Sequence, residues 1–345
     1  MRTARLRRFL RFAAASLLYF SGAFVLRRFF RQRLLHKKEV CVLGLHRVLT
    51  KAEQSRSNSL EGMVLSDVTF VRLLEYLERR FHVVSLETFF RGQKEDADRS
   101  KPWCLLTFDD GWRDTYTTAY PWLKRFAMPA TVFLATGSIE GRGGFWVEQL
   151  KRSWRIPSSR AQTKSVLSQL AGQNKCQVTD LEGIVEWLKH MPAEKRHSLL
   201  GQLLPSEENS DYSDEVDSML TWNQVIEMSR NGVEIGAHTV SHPLLSNESD
   251  TTVERELRIS KQTLEERLGK KVRAFAYPNG DWDERVRRRV EQVGYESAFT
   301  TRPGWHHFGQ DRYTIRRILL HEGNVTGPDG EFSPATLNLT LAGWH

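Results

Sequence analysis

The stretch Trp103-Cys104-Leu105-Leu106-Thr107-Phe108-Asp109-Asp110-Gly111 constrains the fold more than any other part of this chain. Trp103 to Phe108 is a short, mostly apolar run of the kind that makes a buried strand, and it leads directly into two carboxylates. Side chains alternate between the faces of a regular strand, so Asp109 and Asp110 cannot serve one site while the strand continues. Gly111 lifts that restriction. A glycine there lets the chain turn abruptly, which brings both acids to the rim at the strand's C-terminal end. Two like charges so close need a cation or a shared proton.

Further ligands for a cation lie in Gly236-Ala237-His238-Thr239-Val240-Ser241-His242-Pro243. If a helical turn forms between them, His238 and His242 can meet one ion, and a carboxylate completes a three-ligand set with a position left for water. The pair alone is a weak signal, served as well by one core histidine and one histidine at a helix start before Pro243. Joined to the Asp-Asp-Gly strand end, it becomes much more specific.

Thr107-Phe108-Asp109-Asp110-Gly111 and His238 to Pro243 together resemble the first two motifs of the polysaccharide deacetylases, the NodB-homology or carbohydrate esterase family 4 proteins. Phe275-Ala276-Tyr277-Pro278-Asn279-Gly280 is similar to the motif lining that family's sugar groove, and Ile318-Leu319-Leu320-His321 to its late proton-donor motif. The resemblance covers roughly residues 40 to 320 in the family's order, and speaks to fold and reaction class, not to one substrate. It implies Asp109 as the base and Asp110, His238 and His242 as ligands of a divalent metal. Zinc suits that set, with cobalt, nickel and iron as alternatives decided by affinity order and availability. His321 is the implied proton donor, with His46 in reserve; Tyr277, Pro278 and Asn279 are the implied sugar contacts, with an oxyanion-holding N–H near Tyr277.

Two departures from the family pattern stand out. Ala276 occupies the position where many members carry an Arg facing the catalytic Asp, which leaves Arg316 or Arg317 to take that part from elsewhere. The family's Trp-bearing motif has no clear match in Thr300-Thr301-Arg302-Pro303-Gly304-Trp305. Arg302 and Trp305 are candidate substrate contacts there, against a plain turn built on Pro303-Gly304.

With 345 residues the chain can bury one large core and a modest appendage. Its net charge of +8 suggests a nucleic-acid partner until the charge is located. Eleven of the 50 basic residues and none of the 42 acidic ones fall in residues 1–38, so the rest carries 39 basic against 42 acidic. No basic face for nucleic acid is expected on such a body. Cys41, Cys104 and Cys176 are odd in number and widely spaced, which implies no disulfide framework and suits a reducing compartment.

Residues 1–38 separate from the rest. The apolar run Phe12 to Leu26 is flanked by arginines on both sides; it is short for a spanning helix, which needs about 20 residues, and lacks a small-residue cleavage site. The expectation is a helix lying on a membrane surface, apolar side down, on the cytoplasmic face, with a basic helix packed on its own domain as the alternative. Residues 39–324 read as alternating strands and helices: a distorted (β/α) barrel of about seven parallel strands. The rhythm breaks over about 140–219, read as a helical insertion above the rim, where Trp146, Trp154 and Trp187 either stack on a glycan or pack a small core. Nothing is assigned to the tail 325–345.

The leading expectation is a metal-dependent hydrolase that removes an N-acyl group, first of all acetyl, from an amino sugar of a polysaccharide or lipid-linked saccharide. A glycan-binding protein that keeps the barrel without turnover, and a hydrolase of another amide such as a formyl group, are the rivals.

Overall fold

The computed structural model describes residues 2–23, 26, 39–92, 101–141, 144–172, 180–204 and 215–343. Among the described residues eleven strands follow in chain order: β1 Glu39–Leu45, β2 Arg47–Leu49, β3 Val64–Ser66, β4 His82–Val83, β5 Trp103–Phe108, β6 Thr131–Leu134, β7 Glu234–Ala237, β8 Ala274–Ala276, β9 Ser297–Phe299, β10 His306–His307 and β11 Ile318–Leu319. The main sheet runs β10-β1-β5-β6-β7-β8-β9, parallel except where β10 meets β1. Its two ends are joined by one segment. Ile315 bridges Phe299 in β9, and β11 then pairs with β1 at Leu43 and Gly44. The sheet therefore curls into a distorted barrel of seven parallel strands, β1, β5, β6, β7, β8, β9 and the β11 segment.

β1, β5 and β6 are short and buried on both faces, as covered parallel strands are. Around them, helices bury one stripe each. Asp67–Arg80 is the clearest: Ser66 caps it by accepting from the Thr69 N–H at 3.1 Å, and Phe70, Leu73, Leu74 and Leu77 are buried at helical spacing. Each such side chain stabilises the fold by roughly 1.5–3 kcal/mol. Cys41 and Cys104 face each other across β1 and β5 as buried thiols, while Cys176 lies outside the described residues.

The insertion forms its own small core. Leu150, Ile184, Val185, Leu188, Leu200 and Leu203 are buried together, with Trp146, Trp154 and Trp187 packed around them. A buried arginine ties the insertion's end to the barrel. Arg47 in β2 pairs with Asp114 (2.9 Å) and with Asp217 (2.6 Å), and its guanidinium lies over the Trp112 ring.

Three readings of the sequence are corrected. The run His82–Leu86 reads in the sequence as one strand, but only His82 and Val83 pair, and Leu86 begins a helix to Gly92. The tail is not featureless either. Pro334–Leu341 is a helix with Leu337 buried in the main core. Its other side receives the N-terminal helix Arg2–Phe20, whose Ala15 is fully buried beside Ala335 and Leu339. Residues 27–38, with the second group of arginines, lie outside the described residues. Among the described residues no helix is long and apolar enough to cross a membrane. The third correction concerns the turn expected between His238 and His242, which is taken up with the site.

Candidate metal centre and active site

Both acids do reach one rim, and the turn begins one residue earlier than the glycine. Asp110 itself adopts φ 76°, followed by Gly111 at φ 90°. A left-handed aspartate costs on the order of 1 kcal/mol. The cost is met by bonds on either side: Gly111 N–H donates to Asp109 O at 2.9 Å and Leu220 N–H to Gly111 O at 2.8 Å. A Cβ at Gly111 would stand 2.9 Å from Leu134 Cδ2, so the position is tight as well as left-handed.

The loop from His238 to His242 is irregular, not helical, with φ 70° at Thr239 and 55° at His242. Glu256, buried in the helix Asp250–Leu268, holds it in shape: its carboxylate accepts the Val240 and Ser241 N–H groups at 2.7 and 2.9 Å and the Ser241 hydroxyl at 2.8 Å. Thr239 Oγ1 accepts the His242 N–H at 3.0 Å. Local side-chain bonds thus replace the helical ladder as the device that faces the two rings together.

Three ligand atoms converge. His242 Nε2 lies 3.1 Å from His238 Nε2, and Asp110 Oδ1 lies 3.5 Å from His238 Nε2 and 3.4 Å from His242 Nε2. A tetrahedral zinc with bonds of 2.0–2.1 Å to such ligands has edges of about 3.3 Å, so the donor set fits a divalent ion. His238 Nδ1 sits 2.7 Å from the Ala276 carbonyl. Only a protonated Nδ1 satisfies that oxygen, which leaves the Nε2 lone pair facing the other ligands. Asp110 is fixed through its second oxygen, Oδ2, which accepts the Trp112 indole N–H at 3.0 Å.

The charges follow from these contacts. Burial raises the Asp110 carboxyl, but the His238 hydrogen bond and the neighbouring imidazoles outweigh it and hold the group well below the usual range. His242 is pushed down to about 4 by burial and by the nearby His238, which favours the neutral ring a metal needs. Burial alone would lower His238; the Asp110 hydrogen bond and the two carboxylate charges turn the balance upward.

Asp109 is not a ligand in this arrangement. Arg317 clamps it with two bonds of 2.7 Å, and the same guanidinium donates to Thr300 O at 2.9 Å and Thr107 Oγ1 at 3.2 Å. Both partners are buried. Burial disfavours the Asp109 charge, and Arg317 reverses that, keeping the carboxyl below its ordinary value. The barrel's closing segment therefore supplies the guanidinium missing at Ala276.

A cavity of about 250 Å³ opens over these groups, lined by His46, Asp109, Asp110, His238, His242 and Asn279 from the barrel and by Phe145, Trp146, Glu148, Lys189 and Arg196 from the insertion. Phe145 packs on the His242 ring at 4.9 Å. Glu148 is buried, and its carboxyl is pushed up to about 8 by that burial, with repulsion from Asp110 and Asp217 adding to it.

His46 lines the cavity with Nε2 3.9 Å from Asp109 Oδ2. His321 follows β11, next to β1, and is not among the cavity-lining residues. Of the expected sugar contacts, Asn279 lines the cavity and the others do not. Tyr277 is fully buried, its hydroxyl on Tyr313 O at 3.1 Å and its N–H on Phe299 O at 3.0 Å, so neither is available to a sugar or an oxyanion. Pro278 is buried beside it. Trp305 is tied to the last helix by an indole bond to Leu341 O at 2.8 Å, and Arg302 lies over Trp282. Sequence reasoning missed Trp112, Glu148, Lys189 and Arg196. For the last three no signal existed, because nothing in the insertion's sequence shows which residues face the barrel.

A profile described as polysaccharide deacetylase matches residues 96–298. YxkH of Bacillus subtilis (strain 168), provisionally named a polysaccharide deacetylase, is 23% identical over 229 residues, which is 66% of this chain and 55% of that protein. The match thus spans little more than half of that relative. Among solved structures, the Streptococcus pyogenes deacetylase PplD in complex with acetate superposes with a TM-score of 0.56 at 20% identity, over 86% of this chain and all of that one. A de-N-acetylase from Aggregatibacter actinomycetemcomitans gives 0.55 at 18% identity, over 88% of this chain and all of that one. These two likenesses concern the fold, whereas the profile covers more than half of the chain and includes the Asp-Asp-Gly turn, the histidine loop and the β8 motif. The chain belongs to the polysaccharide deacetylase family.

Proposed function

We propose that this protein is a metal-dependent hydrolase that removes N-acetyl groups from amino sugars of a polysaccharide or lipid-linked saccharide. The observation that carries the reading is the spacing of His238 Nε2, His242 Nε2 and Asp110 Oδ1 beside a carboxylate held by its own guanidinium. A divalent cation bound by the three ligands supplies Lewis-acid polarisation of a carbonyl and makes water more acidic. Asp109 takes the proton of the attacking water, because the Arg317 clamp keeps it ionised and aimed. A single histidine donates the proton to the departing amine, either His321 of the late motif or His46, which lines the cavity. Acetate release from an N-acetylated chito-oligosaccharide, lost on chelation and restored by zinc, is the test. Turnover surviving Asp109→Asn combined with His238→Ala would remove this mechanism.

The N-terminal helix is proposed to rest on a membrane. One side packs on the helix Pro334–Leu341; Phe9, Leu17 and Phe20 on the other are exposed by 57, 73 and 83%. With eleven basic and no acidic residues in 1–38, such a ridge suits an anionic bilayer on the cytoplasmic face. Vesicles containing phosphatidylglycerol should co-sediment the full chain. A triple variant Phe9→Ser, Leu17→Ser, Phe20→Ser that sediments equally well would rule the ridge out.

A further inference from the structure

The cavity over the metal centre has a second wall, and that wall carries positive charge. Lys189 ends the helix Leu181–Lys189, Arg196 lies in the helix Ala193–Leu203, and both line the same cavity as Asp109, Asp110, His238 and His242. Arg196 is only 5% exposed. Its guanidinium donates one hydrogen bond, from Nη1 to the Met191 carbonyl at 3.3 Å, and stands 5.4 Å from the Trp146 ring. Among the described residues it has no ion pair. Glu248, whose charge reaches it, is engaged by the Ala193 N–H at 2.6 Å. Burial lowers the Arg196 pKa against the attraction of Glu248, which marks a cation short of compensation. Among the described residues Lys189 has one weak acid partner, Glu186 at 3.8 Å, itself largely exposed.

The acids of the cavity do not answer this charge. Asp109 is matched by Arg317, Asp110 belongs to the cation, and Glu148 is held toward its neutral form by burial. With a divalent ion in place the cavity is net positive. A neutral acetamido sugar gains nothing from two cations at its side.

We propose that Arg196 and Lys189 form a subsite for an anionic substituent of the saccharide, a phosphate ester or a carboxylate, held beside the amide to be cleaved. The proposal rests on reading the centre as a deacetylase and narrows its substrate to charged saccharides. It also gives the insertion a role: among the described residues lining the cavity, its two helices supply the Lys and Arg and the barrel supplies none. Arg196 offers planar donors to an oxyanion, and Lys189, partly exposed, adds a point charge.

The test is calorimetric binding to the zinc-loaded full-length protein with three probes sharing one acetamido group: N-acetylglucosamine, N-acetylglucosamine 1-phosphate, and a glucuronic acid–N-acetylglucosamine disaccharide. At least one charged probe should bind roughly tenfold or more tightly than the neutral sugar. Which of the two gains affinity identifies the anion. Arg196→Gln and Lys189→Gln should each erase most of the gain and leave the neutral sugar unchanged. If Arg196→Gln fails to fold, Lys189→Gln at the partly exposed position decides alone, with a threefold or greater loss expected for the charged probe. Equal affinity for neutral and charged probes overturns the proposal. So does a preference kept in both variants, which is what direct coordination of phosphate to zinc would produce. Acetate release followed in parallel separates this proposal from the one beneath it. Turnover without charge preference sinks the subsite alone, and charge-dependent binding without acetate sinks the deacetylase reading alone.

Discussion

Asp110 has two carboxylate oxygens, and the protein uses them differently: Oδ1 faces the histidines and Oδ2 takes the Trp112 indole N–H. Trp112 is itself immobilised, fully buried between the Arg47 guanidinium at 4.2 Å and the Phe145 ring at 5.6 Å. Partners behind a metal ligand fix its orientation, and losing one commonly costs 10–100-fold in affinity. Trp112→Phe removes the donor, so zinc affinity measured by chelator competition should fall by about that factor, and the smaller ring in a fully buried site should lower the melting temperature as well. The cobalt-substituted variant should show an altered visible absorption band as the freed oxygen turns toward the ion. At this scale the sequence was legible where chemistry demands a residue type: Asp109, Asp110, His238 and His242 could be named, and Arg317 was one of two suggested stand-ins for the missing arginine. Tyr277 and Trp305 misled, because an aromatic in a motif reads the same whether its ring faces a sugar or the core.

Among the elements, strands were legible wherever an apolar run reached four residues or more, as in β1, β5 and β6. The closing segment reads in the sequence as a strand over Thr314 to Leu320, whereas only Ile318 and Leu319 pair as one and its other pairing is a single bridge at Ile315. The histidine loop was expected as a helical turn; it is shaped instead by Glu256, sixteen residues beyond Val240, which no spacing rule reveals. That gives the helix Asp250–Leu268 a measurable role in the site. Glu256→Ala strips three donors of their buried acceptor and should cost about 2–3 kcal/mol in urea denaturation, together with weakened zinc binding. Glu256→Gln, which keeps one acceptor oxygen, should lose less of both.

For the whole molecule, charge and burial set a dependence on acid. His306 in β10 is 1% exposed, and burial, assisted by the charges of His307 and Arg316, pushes its pKa down to about 4. Its folded value lies below its unfolded one, so beneath about pH 6.5 the unfolded chain takes up a proton that the folded chain refuses. Stability is complete above that pH and falls as acid is added, by roughly 3 kcal/mol by pH 4, at about 1.4 kcal/mol per unit of pKa difference. His306→Phe should flatten this part of the stability profile in denaturant titrations between pH 7 and 4. At this scale composition and rhythm set apart the basic first 38 residues, the stretch of alternating strands and helices, and the interruption over about 140–219. The embrace of the N-terminal helix by the C-terminal one was not legible, because neither stretch carries a signal that names the other.

The guanidinium that keeps Asp109 charged arrives on the same few residues that join the last strand to the first. Catalytic competence is thereby made to report on ring closure. A molecule whose seam frays on warming would retain nearly all its secondary structure and still fall silent, so inactivation should run several degrees ahead of melting.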